Sequence, residues 1–303
     1  MSIFGIFRGS SSESNAQQAA NAKLQADILK SIKSHKVPDA IRDRLERARS
    51  GKLPWIATLT AAELAIARSH GFRPIAAVSA TCWLHYGYSW TNGHAQGWKK
   101  ALTRLSREAK AAGANAVLDV KMRTIPLNLN DSMDFTLVGT AVWVEGLPPS
   151  SEPIIATVPA LEFVKLLDAD VVPTGIAIGA HHEWITSNRN TTWLGNTEMR
   201  ALSHLWERAR RKAHNHLREN AKDQGNGVLA HLNFSQMFEA EQNDNRRYLA
   251  RHIVVATTVD AQPGKPLPHD IKIVVDIHAG RTPLTGTARH HQSYGTSERE
   301  GAI

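Results

Sequence analysis

The feature that most constrains this chain is a pattern that occurs twice. Residues 101–144 read as a helix that ends at Gly113, a strand AVLDVKMRT and, after a break, a second strand FTLVGTAVWV. Downstream, a helix that ends at Gly225 is followed by GVLAHLNF and ARHIVVATTV. The two helices share residues at a constant offset of 112 positions: Ala101/Ala213, Leu105/Leu217, Ala109/Ala221, Lys110/Lys222 and Gly113/Gly225. Such a repeat predicts one structural unit built twice.

A second repeat precedes each copy. Residues 53–74 match residues 152–173 without a gap, at an offset of 99 positions. Each segment predicts an extended stretch, a short helix and a turn into a strand, and Thr60 and Glu63 have the spacing of a capping box. The strands that follow Pro74 and Pro173 add a leading strand to each copy.

These patterns divide the chain into four parts. Residues 1–52 are predicted to form a flexible start, including the Ser-rich stretch 8–20, and amphipathic helices. Residues 53–147 form a first module and residues 148–262 a second, diverged one. Residues 263–303 form a Pro/Gly linker, an additional strand at 271–277 and a disordered tail. The predicted class is α+β: two tandem β-α-β-β modules with a helical N-terminal extension.

The last strand of each module is apolar on both faces. A strand in a two-layer module open on one side should alternate apolar and polar residues, so both strands predict a cover on their second face. Either the other module or a neighbouring subunit could supply it. The strand after Gly113 and the strand after Gly225 both alternate apolar and polar residues, but when the repeats are aligned their apolar positions differ by one residue. This predicts a bulge or a local misalignment.

Composition narrows the class of protein. The chain is 42% hydrophobic and 21% charged, and it has no apolar run long enough for a membrane helix. Its single cysteine, Cys82, excludes an intrachain disulfide and fits a reducing compartment, so we expect a cytoplasmic protein.

The formal charge of +8 raises the question of whether the protein binds nucleic acid. The densest basic run, Arg208, Arg210, Arg211 and Lys212, lies in a helix, where a solvated helix face is the simpler interpretation.

The stretches EAKAAGANAVLDVKM and TLVGTAVWV resemble the YbjQ-like family, often labelled a heavy-metal-binding domain. The resemblance covers roughly residues 71–146, and residues 170–260 are similar to a diverged copy. It implies a dodecin-like β-α-β-β module that assembles into rings, commonly pentamers, with strands shared between subunits. The family's metal-binding label comes without a strong ligand motif.

Four residues are the candidate ligands for zinc or another heavy metal: Cys82, His85, His181 and His182. Cys82 aligns with His181 across the repeat, and Glu183 lies beside this pair. The chain has no Cys-x-x-Cys and no helical pair of histidines four residues apart, so Cys82 could equally be a small buried residue. His214 and His216 are weaker candidates, because residues two apart on a helix point in different directions.

No motif predicts catalysis. The chain lacks a Gly-x-Ser-x-Gly elbow, a phosphate loop and a dinucleotide fingerprint. The turn at Gly113 is explained as a helix stop, and Asp119 is expected to lie on a solvated or salt-bridged strand face. The tryptophans at positions 83, 90, 184 and 193 are expected in or beside loops, where they would contact a ligand or fill an interface.

The sequence therefore favours a non-enzymatic homo-oligomeric scaffold or binding protein, with partner contacts through its N-terminal helices. Metal binding is the first alternative. Nucleic-acid binding is the second and less favoured one.

Overall fold

The computed structural model describes residues 8–54, 56–66, 69–85, 89–127, 132–147, 150–187, 199–242 and 245–261. The chain divides into two compact units, residues 1–163 and 164–303. The first contains α1 (Arg8–Ser34), α2 (Asp39–Arg49), α3 (Ala61–Ile66), β1 (Phe72–His85), α4 (Trp90–Ala111), β2 (Ala116–Leu127), β3 (Ser132–Val144) and β4 (Ile154–Ile155). Helix α5 (Ala160–Asp168) spans the boundary. The second unit continues with β5 (Val171–Ser187), α6 (Arg200–Ala221), β6 (Gly227–Gln242) and β7 (Asn245–Ala261).

Both units contain the same β-α-β-β arrangement. In the first, the strand order is β1-β3-β2-β4, and in the second it is β5-β7-β6. The last strand of each module lies between the other two and pairs with both in antiparallel fashion. The predicted α+β class is confirmed.

The helix of each module packs on its sheet through the apolar face expected from the sequence. Trp98, Ala101, Leu105 and Ala109 of α4 are buried, as are Leu205, Ala209, Ala213 and Leu217 of α6. Glycines allow these layers to approach closely. A Cβ on Gly97 of α4 would lie 2.3 Å from the Phe135 ring, and one on Gly179 of β5 would lie 2.0 Å from the Ala213 carbonyl oxygen.

The turn after each helix is held by an asparagine. Gly113 has φ +77°, the left-handed conformation that suits a glycine at a helix end. Two residues later, the Asn115 side chain accepts a hydrogen bond from Val144 N at 2.8 Å and donates one to Val144 O at 2.7 Å. Asn226 makes the same pair of bonds to the backbone of Ala261. In each module the asparagine side chain thus links the start of one strand to the end of the strand that follows it.

Strands β2 and β6 each contain a bulge. In β2 the register shifts between Leu118 and Lys121, and Asp119 adopts φ +53°. In β6 the shift lies between Ala230 and Leu232. Each strand contains one extra residue relative to its partner. The sequence predicted either a bulge or a misalignment as the cause of the phase difference. Bulges are present in both strands, but the residues before and after them pair at equivalent positions in the two modules, so they do not account for it.

Both faces of the central strands are covered within the single chain. In β3, Phe135 and Leu137 on one face and Thr140 and Val142 on the other are fully buried. In β7, neighbouring residues from Leu249 to Val259 are buried on both faces except Arg251, which is half-buried. The two-sided apolar pattern therefore does not by itself require a second copy of the chain. Homo-oligomerisation stays a prediction.

Several local expectations need correction. Residues 8–20, predicted to be a flexible lead-in, belong to α1, which continues without a proline to Ser34 and has its good helix formers, alanine, glutamine, lysine and leucine, mostly from residue 16 onward. Helix α4 starts at Trp90, with Ser89 accepting from Asn92 N at 3.2 Å, so the helix begins well before residue 101. Strand β4, placed in the second module by the sequence, pairs with β2 in the first sheet.

The predicted capping box is confirmed and extended. The Glu63 carboxylate accepts hydrogen bonds from Thr60 N at 2.7 Å and from Thr60 Oγ1 at 2.8 Å. Its other oxygen accepts from Ala160 N at 2.7 Å, at the first residue of α5. Glu63 is buried, so one carboxylate satisfies backbone donors at the start of two helices. The predicted strand at 271–277 and the tail lie outside the described residues.

Candidate ligand sites

Cys82 and His85 lie on opposite faces of β1. Cys82 is directly opposite Phe135, whose ring contacts Trp98 at 5.1 Å between centroids, so the thiol lies on the buried face beneath α4. Burial raises the pKa of Cys82, which disfavours the thiolate that binds metals. His85, three residues further on, is exposed at the end of the strand. The two side chains are not brought together.

His181 and His182 are also separated by the strand that carries them. The His181 ring faces α6, with its centroid 5.6 Å from that of His216, whereas His182 is paired with Arg251 and points to the other face. Burial lowers the pKa of both imidazoles; nearby cations add to this effect, Lys212 at His181 and Arg251 at His182. Both rings are therefore favoured in their neutral form near pH 7.

Sequence reasoning set aside His214 and His216, yet both contact the sheet. His216 Nδ1 donates to the Ala180 carbonyl oxygen at 2.9 Å. His214 stacks on His252 of β7 with 5.8 Å between centroids, and His252 also contacts Ser235. Burial, reinforced by His214 and Arg210, lowers the pKa of His252 to about 4. No sequence spacing identifies these contacts, because they join a helix to strands far away in the chain.

Glu183 neutralises half of the basic run on α6. Arg208 Nε donates to one carboxylate oxygen at 2.7 Å, and Lys212 Nζ donates to the other at 3.2 Å. Burial alone would raise the pKa of Glu183, but these two cations outweigh it and the pKa is lowered. Arg210 and Arg211 lie on the exposed side of the helix. The run is thus divided between a structural ion pair and a solvated face.

The described residues do not offer a ready metal centre. Among them, no three or more His, Cys, Asp and Glu side chains are grouped so that they could hold a metal ion. Zinc sites in proteins normally use three or four such ligands. Metal binding by Cys82, His85, His181 and His182 stays a prediction.

The outer edge of the leading strand in each module is covered by helix side chains. In β1, Ser79 N donates to Glu108 Oε1 at 3.4 Å, and the Thr81 carbonyl accepts from Arg104. In β5, Ile178 N donates to Asn220 Oδ1 at 3.0 Å, and the Ala180 carbonyl accepts from His216. The strand positions differ by 99 and the helix positions by 112, which are the offsets of the sequence repeats. The same device therefore closes the same edge in both modules.

Buried Glu108 has a structural role as well. Arg44 of α2 donates to its Oε1, and the carboxylate is almost fully buried. Burial raises the pKa of Glu108, while Arg44 and the Ser79 amide oppose the rise. In the same unit, Asp119 is bonded to Lys121 Nζ at 2.7 Å, as a salt-bridged strand face predicts. Both carboxylates have neighbours that explain their positions in the fold.

Three of the four tryptophans expected in or beside loops lie within regular elements. Trp83 is in β1 and Trp184 in β5, and they are 69% and 43% exposed. Trp90 is the buried first residue of α4. Position 193 lies outside the described residues. Exposed tryptophans on strands present their rings on a sheet face.

Comparison with known proteins agrees with the motif-based resemblance. Residues 87–145, from just before α4 to the end of β3, match the family model YbjQ_1, described as "Putative heavy-metal-binding". Neither the curated proteins nor the solved structures contain a match to the chain. No helix among the described residues is long and apolar enough to cross a membrane. Over residues 87–145 the chain is therefore similar to this family.

Proposed function

We propose that the chain is a non-enzymatic, homo-oligomeric binding protein made of two YbjQ-like modules that arose by duplication. The observation that supports this proposal most is that the outer edges of three module strands are covered by other parts of the chain, whereas the outer edge of β6 is not. Matching strand orders, asparagine ties and edge contacts at the repeat offsets support the duplication.

An exposed sheet edge is a template for pairing with another chain unless it is covered. The leading strands β1 and β5 are covered by side chains from their own helices. The outer edge of β2 is occupied by the segment that contains β4: Ala156 N donates to Val117 O at 2.9 Å, and Asp119 N donates to Val158 O at 3.1 Å. Three of the four module edges are therefore closed.

The outer edge of β6 is the exception. Within the described part of the chain, no strand pairs with this edge over the 16 residues of β6. Val228, Met237 and Phe238 of the same strand are each 38–40% exposed. A long edge strand with exposed apolar side chains is well suited to strand pairing between subunits.

Helix α1 supports a further contact with a partner helix or a second copy. Its apolar stripe, Leu24, Ile28, Leu29 and Ile32, is 39–60% exposed. Such a stripe matches the i, i+4, i+8 spacing of a helix that packs on another helix. This agrees with a role for the N-terminal helices in assembly.

Mass photometry of the purified chain tests the proposal. We expect a species larger than one 33.3 kDa chain, and we expect Val228→Lys combined with Met237→Lys to reduce its mass. Trp143→Lys is the matched control, because Trp143 is similarly exposed but lies on β3, which is paired on both sides. A wild-type protein that is monomeric at micromolar concentration would contradict the proposal.

Heavy-metal binding is the second candidate, favoured by the description of the matched family. Because the described residues group no three suitable ligands, such a site would need ligands from a second copy or from residues outside the described ranges. Elemental analysis of the purified protein, repeated for Cys82→Ala and for His181→Ala, tests it. Absence of metal above trace in the wild type, or unchanged metal content in both variants, would remove these ligands from consideration.

A further inference from the structure

The segment that closes the outer edge of β2 is itself one of two repeats. Strand β4 runs parallel to β2 and places Ile155 opposite Val117, and the chain stays along this edge as far as residue 158. Residues 155–158 match residues 56–59 in the gapless repeat, and both begin with the sequence Ile-Ala-Thr. The chain therefore contains a second segment with the sequence of one that closes a sheet edge.

This second segment, residues 56–59, is not buried in the same way. Ile155 is 8% exposed, whereas its counterpart Ile56 is 69% exposed. The middle of the segment is fixed to its own module, because Thr58 N donates to Thr140 Oγ1 at 2.7 Å. The apolar start of the segment thus lies on the surface, although its counterpart in the other repeat is part of a core.

The outer edge of β6 shows the complementary difference. Residues 226–230 correspond to residues 115–119 at the turn and start of β2, and each of the five is more exposed than its counterpart. Val117 is fully buried, whereas its counterpart Val228 is 38% exposed. Within the described part of one chain, neither the segment 56–59 nor the outer edge of β6 is paired in a sheet. A strand donor and a strand acceptor are therefore both left vacant.

We propose that residues 56–59 of one copy of the chain pair in parallel with β6 of another copy, as residues 155–158 pair with β2. The inference rests on the proposed homo-oligomer and names the segment that occupies its open edge. Every copy donates one segment and accepts one, so the interface joins two different surfaces. Such heterologous interfaces build closed rings or open chains of copies, whereas pairing of β6 with itself would give a two-fold dimer.

The register of this pairing follows from the first module. Because Ile155 lies opposite Val117, Ile56 lies opposite Val228. The amide that follows Ile155 donates to the Val117 carbonyl oxygen at 2.9 Å, and the amide that follows Ile56 donates to the Val228 carbonyl oxygen in the same way. The two exposed apolar side chains then cover each other, and backbone groups on the edge of β6 gain partners.

Another candidate for this edge is the predicted strand at 271–277, which lies outside the described residues. Lys272 follows the end of β7 by 11 residues, as Ile155 follows the end of β3. The same register would therefore place Lys272 where Ile155 is buried. Burial of an unpaired ammonium group is costly, whereas Ile56 is the same residue as Ile155. The side chains favour the segment 56–59.

Disulfide trapping with full-length chains tests the proposal. An Ile56→Cys chain mixed with a Val228→Cys chain under mild oxidation should give a cross-linked species of two chains, about twice 33.3 kDa, on a non-reducing gel. Residues directly opposite each other on paired strands are close enough for a disulfide. Each variant alone should stay at the mass of one chain. The native Cys82 is buried and does not compete.

The matched control replaces Val228→Cys by Phe238→Cys. Phe238 lies on the same strand and is 40% exposed, against 38% for Val228, but it is far from the position opposite Ile56. We expect no cross-link between Ile56→Cys and Phe238→Cys. This pair keeps the strand, the exposure and the chemistry, and changes only the register.

Mass photometry of Ile56→Lys gives a second, independent measurement. Because Ile56 is exposed, lysine at this position should leave the fold intact and reduce the oligomer to single chains. This variant retains its β6 edge, whereas Val228→Lys combined with Met237→Lys retains the segment 56–59. Mixing the two should therefore restore a species of two chains and nothing larger, since only one donor and one acceptor remain.

Three results would overturn the proposal. The first is absence of the cross-link between Ile56→Cys and Val228→Cys, or an equal one with Phe238→Cys. The second is an unchanged mass of Ile56→Lys, in which case the homo-oligomer stands but does not use this segment. The third is a disulfide within one chain in Val228→Cys combined with Lys272→Cys, which would identify the tail segment as the occupant. A monomeric wild type would instead contradict the homo-oligomer itself.

Discussion

Gly179 is the position at which one added methyl group would disturb the second module most. In Gly179→Ala the new Cβ would lie 2.0 Å from Ala213 O and 2.6 Å from Leu217 N, both backbone atoms of α6. Ordinary contacts to a Cβ are 3.4 Å or longer, so α6 must move by more than 1 Å. That movement separates the buried cluster that joins the helix to the sheet: Ala177, Ala213, Leu217, Ala221, Val254 and Ala256.

Overpacking of this kind usually costs about 1–3 kcal/mol, and we expect Gly179→Ala to lie near the top, about 3 kcal/mol, because a whole helix must shift. Gly175→Ala is the matched control on the same strand and face. Its Cβ would come closest to Gln224 Oε1, at 2.8 Å, the end of a flexible side chain, so we expect a loss below about 1 kcal/mol. Guanidinium denaturation followed by tryptophan fluorescence and circular dichroism measures both. Equal stabilities of the two variants would refute the close-packing argument.

Three further predictions concern buried or partly buried polar side chains. The folded-state pKa of His252, about 4, lies below the ordinary 6.5, so its neutral form favours folding above pH 6.5 and that stability is lost as the pH falls toward 4. Between pH 7 and 5 the wild type should lose roughly 2 kcal/mol of its free energy of unfolding for this reason. Denaturation of His252→Leu over the same pH range should not show this loss. Free energies of unfolding that change in parallel with pH in the two proteins would contradict the prediction. Asn115→Ala removes two hydrogen bonds to the Val144 backbone and should lower the free energy of unfolding by about 2 kcal/mol, as measured by urea titration. An unchanged urea midpoint would show that these two hydrogen bonds do not stabilise the fold. Glu63→Ala leaves helix-start amides without an acceptor and should cost about 2–3 kcal/mol, with faster amide exchange at Ala160; unaltered exchange there would show that the shared carboxylate is not needed.

Local patterns in the sequence were sufficient for the elements and their order. The apolar faces of α4 and α6 predict which sides are buried, because helical periodicity is a property of neighbouring residues. The spacing of Thr60 and Glu63 predicts a capping box for the same reason. The start of α1 and the first turns of α4 were missed, since polar and small residues there resemble a loop in composition while the backbone continues as helix.

For the candidate functional residues, local patterns in the sequence were not sufficient. Cys82, His85, His181 and His182 were chosen by residue type and alignment, and the strand geometry places them on opposite faces within each pair. The sequence shows basic residues without aromatic residues at any regular spacing. The sheet brings Trp184 to Arg247 and Phe238 to Arg251, pairs that are far apart along the chain.

The sequence alone therefore determined the two β-α-β-β modules, their burial pattern and the family resemblance of the first, since these depend on periodicity and short motifs. Only the tertiary structure decided which sheet edges are closed, where the bulges lie and which cations meet which rings. Those features depend on strand register and helix docking. A shift of one residue would move every side chain to the other face, and no local pattern contains that information.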